Sequence, residues 1–101
     1  MLFSILPAAP ANVQVSLRQM EVMEGDPLPT NTIMCSGESN PRGYYHWVRG
    51  SNSDIIAYGS RLSFNHSSSR ISREFNDTYT CVVTNKHGTS MAHFVLSVLC
   101  K

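Results

Sequence analysis

Two cysteines and a tryptophan constrain the fold of this chain more than any other feature. Trp47 follows Cys35 by twelve residues, and Tyr79 precedes Cys81 by two. Each cysteine lies in a segment where apolar and polar residues alternate, as they do in a strand with one buried face. Cys35 has the same parity as Ile33, and Cys81 has the same parity as Tyr79. Both cysteines are therefore predicted to point into the core.

Period-two alternation and turn residues continue along the rest of the chain. Val13, Val15 and Leu17 alternate with polar residues and predict a first strand with one buried face. Glycine and proline punctuate the later segments, including a loop predicted at 37–43. About seven or eight short strands without a helical pattern predict an all-β chain, folded as a two-sheet antiparallel β-sandwich. After the first strand, these strands are predicted at residues 30–36, 44–49, 55–58, 62–64, 79–83 and 92–98.

The length of 101 residues fits one such domain and leaves no room for a second. Residues 1–11 begin with a short apolar run followed by proline and alanine, which predicts a linker, a signal-peptide remnant or residues added in cloning. The domain is expected to span residues 12–99, and residues 100–101 to begin an interdomain junction. No apolar run is long enough to cross a bilayer, so we expect no direct membrane insertion by this segment.

From Val13 to Leu99 the chain resembles a C2-type or I-type immunoglobulin domain of a multidomain cell-surface receptor. The stretch 36–41, before the tryptophan, is similar to the Gly-Asn-Pro stretch of nectins, Siglecs and related adhesion molecules. The stretch 78–89 is similar to their sixth strand and the turn after it. Phe75 and Asp77 depart from the pattern, because many family members carry aspartate and glycine there. The resemblance implies an immunoglobulin-like sandwich.

The resemblance also implies that Cys35 and Cys81 form a buried disulfide between the sheets, with Trp47 packed on it and Tyr79 forming a tyrosine corner. The inward parity of both cysteines supports this pairing, although reduced buried cysteines would satisfy the same parity. A disulfide favours an oxidising compartment, hence secretion or the cell surface. Cys100 is left unpaired, which indicates a partner in a neighbouring domain, an intermolecular disulfide or a free thiol.

Two further motifs are typical of secreted proteins. Asn65-His66-Ser67 and Asn76-Asp77-Thr78 match the N-glycosylation acceptor pattern, with no proline in the middle position. Both triplets fall in predicted loops or at strand ends, where a glycan has room. Asn65 and Asn76 are therefore glycosylation candidates.

Composition and motifs exclude several classes of function. Eight Lys and Arg residues against seven Asp and Glu residues give a net charge of +1, so the chain lacks the basic surface typical of nucleic-acid binding. The nucleophile, zinc-protease and phosphate-loop motifs of enzymes do not occur in the sequence. We therefore expect no catalytic residue, no metal ion and no cofactor. Four histidines lack metal-ligand spacing: His46, His66, His87 and His93.

On the third, sixth and seventh predicted strands, the residues that alternate with the buried ones should face solvent. They include apolar and aromatic residues beside two histidines. An exposed patch of this kind often marks a contact surface, although single exposed apolar residues are common and a neighbouring domain could cover them. This candidate partner-binding face, called the candidate face below, comprises Tyr44, His46, Val48, Val82, His93 and Val95.

Three interpretations of function remain open. The first is a non-catalytic extracellular domain of a receptor or adhesion molecule that recognises another cell-surface or secreted protein, homophilically or heterophilically. The second is a spacer domain without its own ligand, in contact with the neighbouring domains of its parent chain. The third is an intracellular structural domain of the muscle-filament kind.

Overall fold

The computed structural model describes residues 6–64 and 71–100 and contains eight strands there, with one turn of 3-10 helix at Arg73–Phe75. No helix in these residues has the length and apolar character needed to cross a membrane. The strands are β1 (Ala8–Val15), β2 (Gln19–Met23), β3 (Thr32–Asn40), β4 (Tyr44–Arg49), β5 (Ile55–Tyr58), β6 (Arg61–Ser63), β7 (Asp77–Asn85) and β8 (Gly88–Leu99).

The strands form two sheets that pack face to face. The smaller sheet has the order β1-β3-β6, and the larger has the order β2-β8-β7-β4-β5. Neighbouring strands are antiparallel, except that β2 runs parallel to β8. This architecture confirms the predicted all-β sandwich. The antiparallel β7 and β8 are joined by a loop of two residues, Lys86 and His87, within the stretch 78–89 that resembles a strand and the turn after it.

The prediction that Leu17 continues the first strand on its buried face is wrong. β1 ends at Val15, and Leu17 is 38% exposed. The chain changes sheets here, because β1 pairs with β3 in the smaller sheet whereas β2 pairs with β8 in the larger one. Arg18 accepts a hydrogen bond from the Val95 amide at 2.9 Å, which begins the pairing with β8. The residues that cross between the sheets cannot keep the parity of either.

The first strand also begins earlier than the sequence suggests. β1 starts at Ala8, inside the segment 1–11 that was expected to precede the domain. The buried Asn85 side chain donates through Nδ2 to the carbonyl oxygens of Ala8 at 2.7 Å and Pro41 at 3.0 Å. Ser90 Oγ donates to the carbonyl of Pro10 at 2.7 Å. These bonds hold the start of β1 against the β3–β4 loop and the β7–β8 hairpin.

β3 is longer than predicted. It runs to Asn40, so its last four residues occupy four of the seven positions of the predicted loop 37–43. Their partner is β1, with Ala11 opposite Glu38 and Ala8 opposite Asn40. These residues are polar or glycine, because this part of the sheet is only partly buried, and they therefore carry no apolar alternation for a sequence to show.

After Tyr58 the chain passes from the larger sheet to the smaller one. β5 pairs with β4 in the larger sheet, and β6 pairs with β3 in the smaller sheet. Between them lies Gly59, whose φ of +102° belongs to the region that glycine adopts without strain. The chain therefore crosses between the sheets in two residues. Residues 65–70 lie outside the described part of the chain, and with them the Asn65 sequon and His66.

The core lies between the sheets and is centred on a disulfide. Cys35 on β3 is bonded to Cys81 on β7, with 6.5 Å between the Cα atoms, so the bond joins the smaller sheet to the larger one. Trp47 is fully buried, and its Nε1 has no hydrogen-bond partner among the described residues. The ring centroids of Phe64 and Tyr79 lie 5.3 Å apart at an edge-to-face angle. The buried apolar residues are Met20, Val22, Ile33, Cys35, Trp47, Leu62, Phe64, Ile71, Tyr79, Cys81, Val83, Phe94, Leu96 and Val98.

Candidate partner-binding face

The six residues of the candidate face lie on the outer side of the larger sheet. Strand register sets this position, because Trp47 pairs with Cys81 on the inner side and its neighbour His46 pairs with Val82 on the outer side. Tyr44 is 82% exposed and Val95 is 39% exposed, whereas His46, Val48 and Val82 are half-buried by their neighbours. The structure thus brings together the residues that outward parity selected.

The structure adds two residues that the sequence analysis missed. Tyr58 on β5 pairs with His46, and Met91 on β8 pairs with Val82. A continuous row of Tyr58, His46, Val82 and Met91 therefore crosses four strands. Tyr58 is 81% exposed and Met91 is 53% exposed. Parity along β8 would have shown Met91, but the position of Tyr58 depends on the pairing of β5 with β4, which no local pattern reveals.

The outer side of β4, β7 and β8 carries no residue with a formal charge. Threonine occupies the remaining outward positions of β7, and Thr80 Oγ1 lies 2.8 Å from Nδ1 of His93. Glu21 on β2, opposite Ser97, is the nearest outward acidic residue along the sheet register. A broad surface that is uncharged and partly aromatic suits contact with a protein, since charged residues are depleted and aromatic residues enriched at interface cores.

The candidate face has two ends, which are named here by their landmarks. The hairpin end carries Tyr44, opposite Thr84 near the β7–β8 loop. The Cys100 end lies at the other end of the same strands, where β7 begins and β8 finishes. Cys100 follows β8 directly, is exposed and is not bonded to another cysteine.

An ion pair fastens the loop after β4 to the start of β7. Arg49 Nε donates to Asp77 Oδ2 at 2.7 Å, and the Arg49 guanidinium also donates to the carbonyl of Glu74. Asp77 Oδ1 accepts from the amides of Ser51 at 3.2 Å and Thr78 at 2.7 Å. Asp77, which departs from the family pattern in sequence, therefore has a defined structural role.

Burial by itself would raise the pKa of Asp77, since it disfavours the carboxylate. The hydrogen bonds from Ser51, Arg49 and Thr78 outweigh this effect and hold the pKa of Asp77 below its usual value. The same hydrogen bond favours the charged form of the arginine and raises the pKa of Arg49. The pair is ionised at neutral pH and shielded on the carboxylate side, where only 8% of the Asp77 side chain is exposed.

Tyr79 forms the tyrosine corner that the family resemblance implies. Its hydroxyl donates to the carbonyl of Phe75 at 2.6 Å, four residues earlier. Burial raises the pKa of Tyr79 to about 12, so the hydroxyl stays a donor throughout the physiological range. The Arg49 guanidinium lies 6.0 Å from the ring centroid. The corner fixes the 3-10 turn to β7.

The described residues contain a cavity but no cluster of potential metal ligands. In residues 6–64 and 71–100, no group of three His, Cys, Asp or Glu side chains is placed to hold a metal ion. A cavity of about 450 Å³ opens between β3 and β4. Its lining contains the Arg42 side chain and the Tyr45 hydroxyl, and that hydroxyl already donates to the Gly37 carbonyl at 3.4 Å and accepts from the Gly37 amide at 3.0 Å.

No protein-family model and no protein of curated function matches this sequence. Solved structures do match, and they share the sandwich described above. The N-terminal four immunoglobulin domains of Dscam1 isoform 4.44 match with a TM-score of 0.67 and 18% identity over 88% of this chain. The full ectodomain of mouse nectin-like molecule 4, spanning domains Ig1 to Ig3, matches with a TM-score of 0.64 and 33% identity over 91% of this chain. The chain belongs to the immunoglobulin superfamily.

This immunoglobulin domain corresponds to only part of those neighbours. It spans 21% of the Dscam1 chain and 31% of the nectin-like chain. A chimeric titin Z1Z2 is also similar, with a TM-score of 0.67 and 17% identity over 96% of this chain and 100% of that one. The neighbours therefore include both cell-surface adhesion receptors and intracellular titin. Adhesion and receptor roles fit the cell-surface neighbours, Dscam1 and nectin-like molecule 4.

Proposed function

We propose that this immunoglobulin domain is a non-catalytic extracellular module of a cell-surface receptor or adhesion molecule, and that it recognises another cell-surface or secreted protein through the candidate face. The observation that carries the proposal is the uncharged row of Tyr58, His46, Val82 and Met91, flanked by the highly exposed Tyr44. Two tyrosines with about four-fifths of their surface in solvent contribute nothing to the core. They offer the large amphipathic contacts that dominate protein interfaces.

The extracellular assignment is supported by the disulfide, by the two sequons and by the similarity to receptor ectodomains. The absence of a role in catalysis is supported by the neighbours, since immunoglobulin domains serve as scaffolds for binding surfaces. The partner can be a second copy of the domain or a different protein, because an uncharged face does not repel itself.

The test is a binding assay with one substitution on each sheet. Tetramers of the domain would be applied to an array of cells that each display one cell-surface protein, with a cell displaying this domain included. Tyr44→Asp places a charge in the candidate face and is expected to abolish binding while leaving the melting temperature unchanged. Met34→Asp is the matched control, because Met34 is 41% exposed on the smaller sheet. Equal binding by wild type and Tyr44→Asp would contradict the proposal.

The similarity to titin favours an alternative, an intracellular structural domain of the muscle-filament kind. Oxidation state in the native cell distinguishes the two. Thiol labelling followed by intact-mass measurement gives one labelled cysteine, Cys100, if the disulfide is formed. Three labelled cysteines would favour the intracellular alternative. A spacer role would instead leave the disulfide intact and show no binding by any variant.

A further inference from the structure

The sequon Asn76-Asp77-Thr78 lies at the Cys100 end of the candidate face, and the partner contact proposed above does not involve it. Asn76 is exposed and directly precedes β7. Its Oδ1 accepts a hydrogen bond from the Val98 amide at 2.7 Å, which fixes the orientation of the side-chain amide. Its Nδ2, the atom that carries an N-linked glycan, makes no hydrogen bond among the described residues. The glycan-bearing atom is therefore free while the rest of the side chain is held.

We propose that Asn76 is an N-glycosylation site whose glycan covers the Cys100 end of the candidate face, which restricts partner contact to the hairpin end. This inference rests on the proposed extracellular function, because the modification requires the secretory route. In the transfer, a bond forms between Asn76 Nδ2 and the anomeric carbon of the oligosaccharide. The bond from that carbon to its lipid diphosphate carrier breaks, the diphosphate leaves, and the amide gives up one proton.

The position of Asn76 determines what such a glycan would cover. Asp77 pairs with Leu96, so Asn76 lies alongside β8 between Leu96 and Val98. Apolar residues here are exposed without any described cover, which is the situation that a glycan would relieve. They are Met23, Val95 and Leu99, at 37%, 39% and 41% exposure.

The hairpin end is out of reach of the first sugars. Tyr44 pairs with Thr84, which lies eight residues after Asn76 along β7. At the rise of an antiparallel strand this separation is about 27 Å. Tyr44, Tyr58 and Met91 therefore stay open to a partner, whereas Val95 does not. The candidate face is thereby narrowed to the half that carries the exposed tyrosines.

Occupancy is tested by secreting the whole chain from mammalian cells behind a signal peptide. Peptide-N-glycosidase should lower the mass and convert Asn76 to aspartate, as located by peptide mass spectrometry. Thr78→Ala should abolish the modification while keeping the bond from Asn76 to Val98, and Thr78→Ser should retain it because serine still completes the sequon. A secreted, folded wild-type chain with unmodified Asn76 would overturn the proposal.

Coverage is tested by the rate of methionine oxidation with dilute peroxide. Met23 lies at the Cys100 end, and Met91 lies in the open half as an internal control. In the glycosylated protein Met23 should oxidise several-fold more slowly than in Thr78→Ala, and Met91 at the same rate in both. Equal Met23 rates would show that the glycan does not cover this end. If Asn76 is glycosylated and Tyr44→Asp binds as wild type does, the proposed function is contradicted and the glycosylation site is not. If Asn76 is unmodified and Tyr44→Asp loses binding, the glycosylation site is contradicted and the proposed function is not.

Discussion

The two sides of the larger sheet are built from the same strands but have opposite roles. On β4 and β7, Trp47 and Cys81 face inward and are completely buried, whereas the adjacent His46 and Val82 face outward and are only half-buried. The inner side is joined to the smaller sheet by the disulfide. The outer side carries no such covalent link to the smaller sheet. One strand can therefore contribute to the buried core with one side and present a surface for recognition with the other.

The comparison shows why a fold is easier to infer than a function. The inner side has strict chemical requirements, since a disulfide and a buried tryptophan need partners in fixed positions. The outer side requires only residues that are compatible with a β-strand. Substitutions should therefore affect the inner side through stability and the outer side through binding.

The largest expected effect comes from the link between the sheets. The double variant Cys35→Ala, Cys81→Ala opens a loop spanning 46 residues and should lower the free energy of unfolding by about 4 kcal/mol. Urea denaturation followed by tryptophan fluorescence measures the change. A loss below about 1 kcal/mol would show that packing, rather than the disulfide, holds the inner side together.

A smaller loss is expected where the ion pair fastens the loop after β4 to β7. Asp77→Asn should cost about 1.5 kcal/mol at pH 7, because the charged hydrogen bond from Arg49 is lost. The pKa of Asp77 is lowered by folding, so this contribution is complete above the unfolded-state value near 4. It should disappear as the pH falls further through the lowered native pKa.

The matched control for this ion pair is the exposed pair of Arg73 and Glu24. Its Nε–Oε2 distance is 3.2 Å, and 68% of the arginine side chain is exposed. Glu24→Gln should change the free energy of unfolding by less than about 0.5 kcal/mol. Similar losses for the two variants, or a loss for Asp77→Asn that persists unchanged below pH 3, would contradict the assignment.

On the outer side the expected effect on stability is close to zero. Tyr58→Asp should change the free energy of unfolding by less than about 0.5 kcal/mol, since the side chain is 81% exposed. Partner binding should nevertheless fall at least tenfold. A variant that loses stability and binding together would show that the two sides of the sheet are not independent.

The sequence predicted the strands that have one fully buried side and missed the features set by distant pairing. β4 was predicted with its correct bounds, because Tyr45 and Trp47 alternate with residues of the outer side. The exit of the chain from the first sheet near Leu17, and the approach of Tyr58 to His46, depend on which strands meet. Parity describes one strand at a time and contains no information about its neighbour.

The same limit applies to the candidate face. Its six predicted residues follow from parity on three strands, and all six lie on the outer side of one sheet. The row that includes Tyr58 and Met91 required the register of four strands. The contact between Asn76 and Val98, on which the glycosylation proposal depends, joins residues 22 positions apart. No local pattern could have indicated it.

The parallel pairing of β2 with β8 has a mechanical consequence. Five consecutive residues, Gln19–Met23, pair with Val95–Leu99 near the two ends of the chain. Because these strands run in the same direction, tension applied between the ends pulls them past each other along their length. All the hydrogen bonds of that pairing then bear the load together instead of opening one after another. We therefore expect this pairing to yield to tension by shearing as a unit.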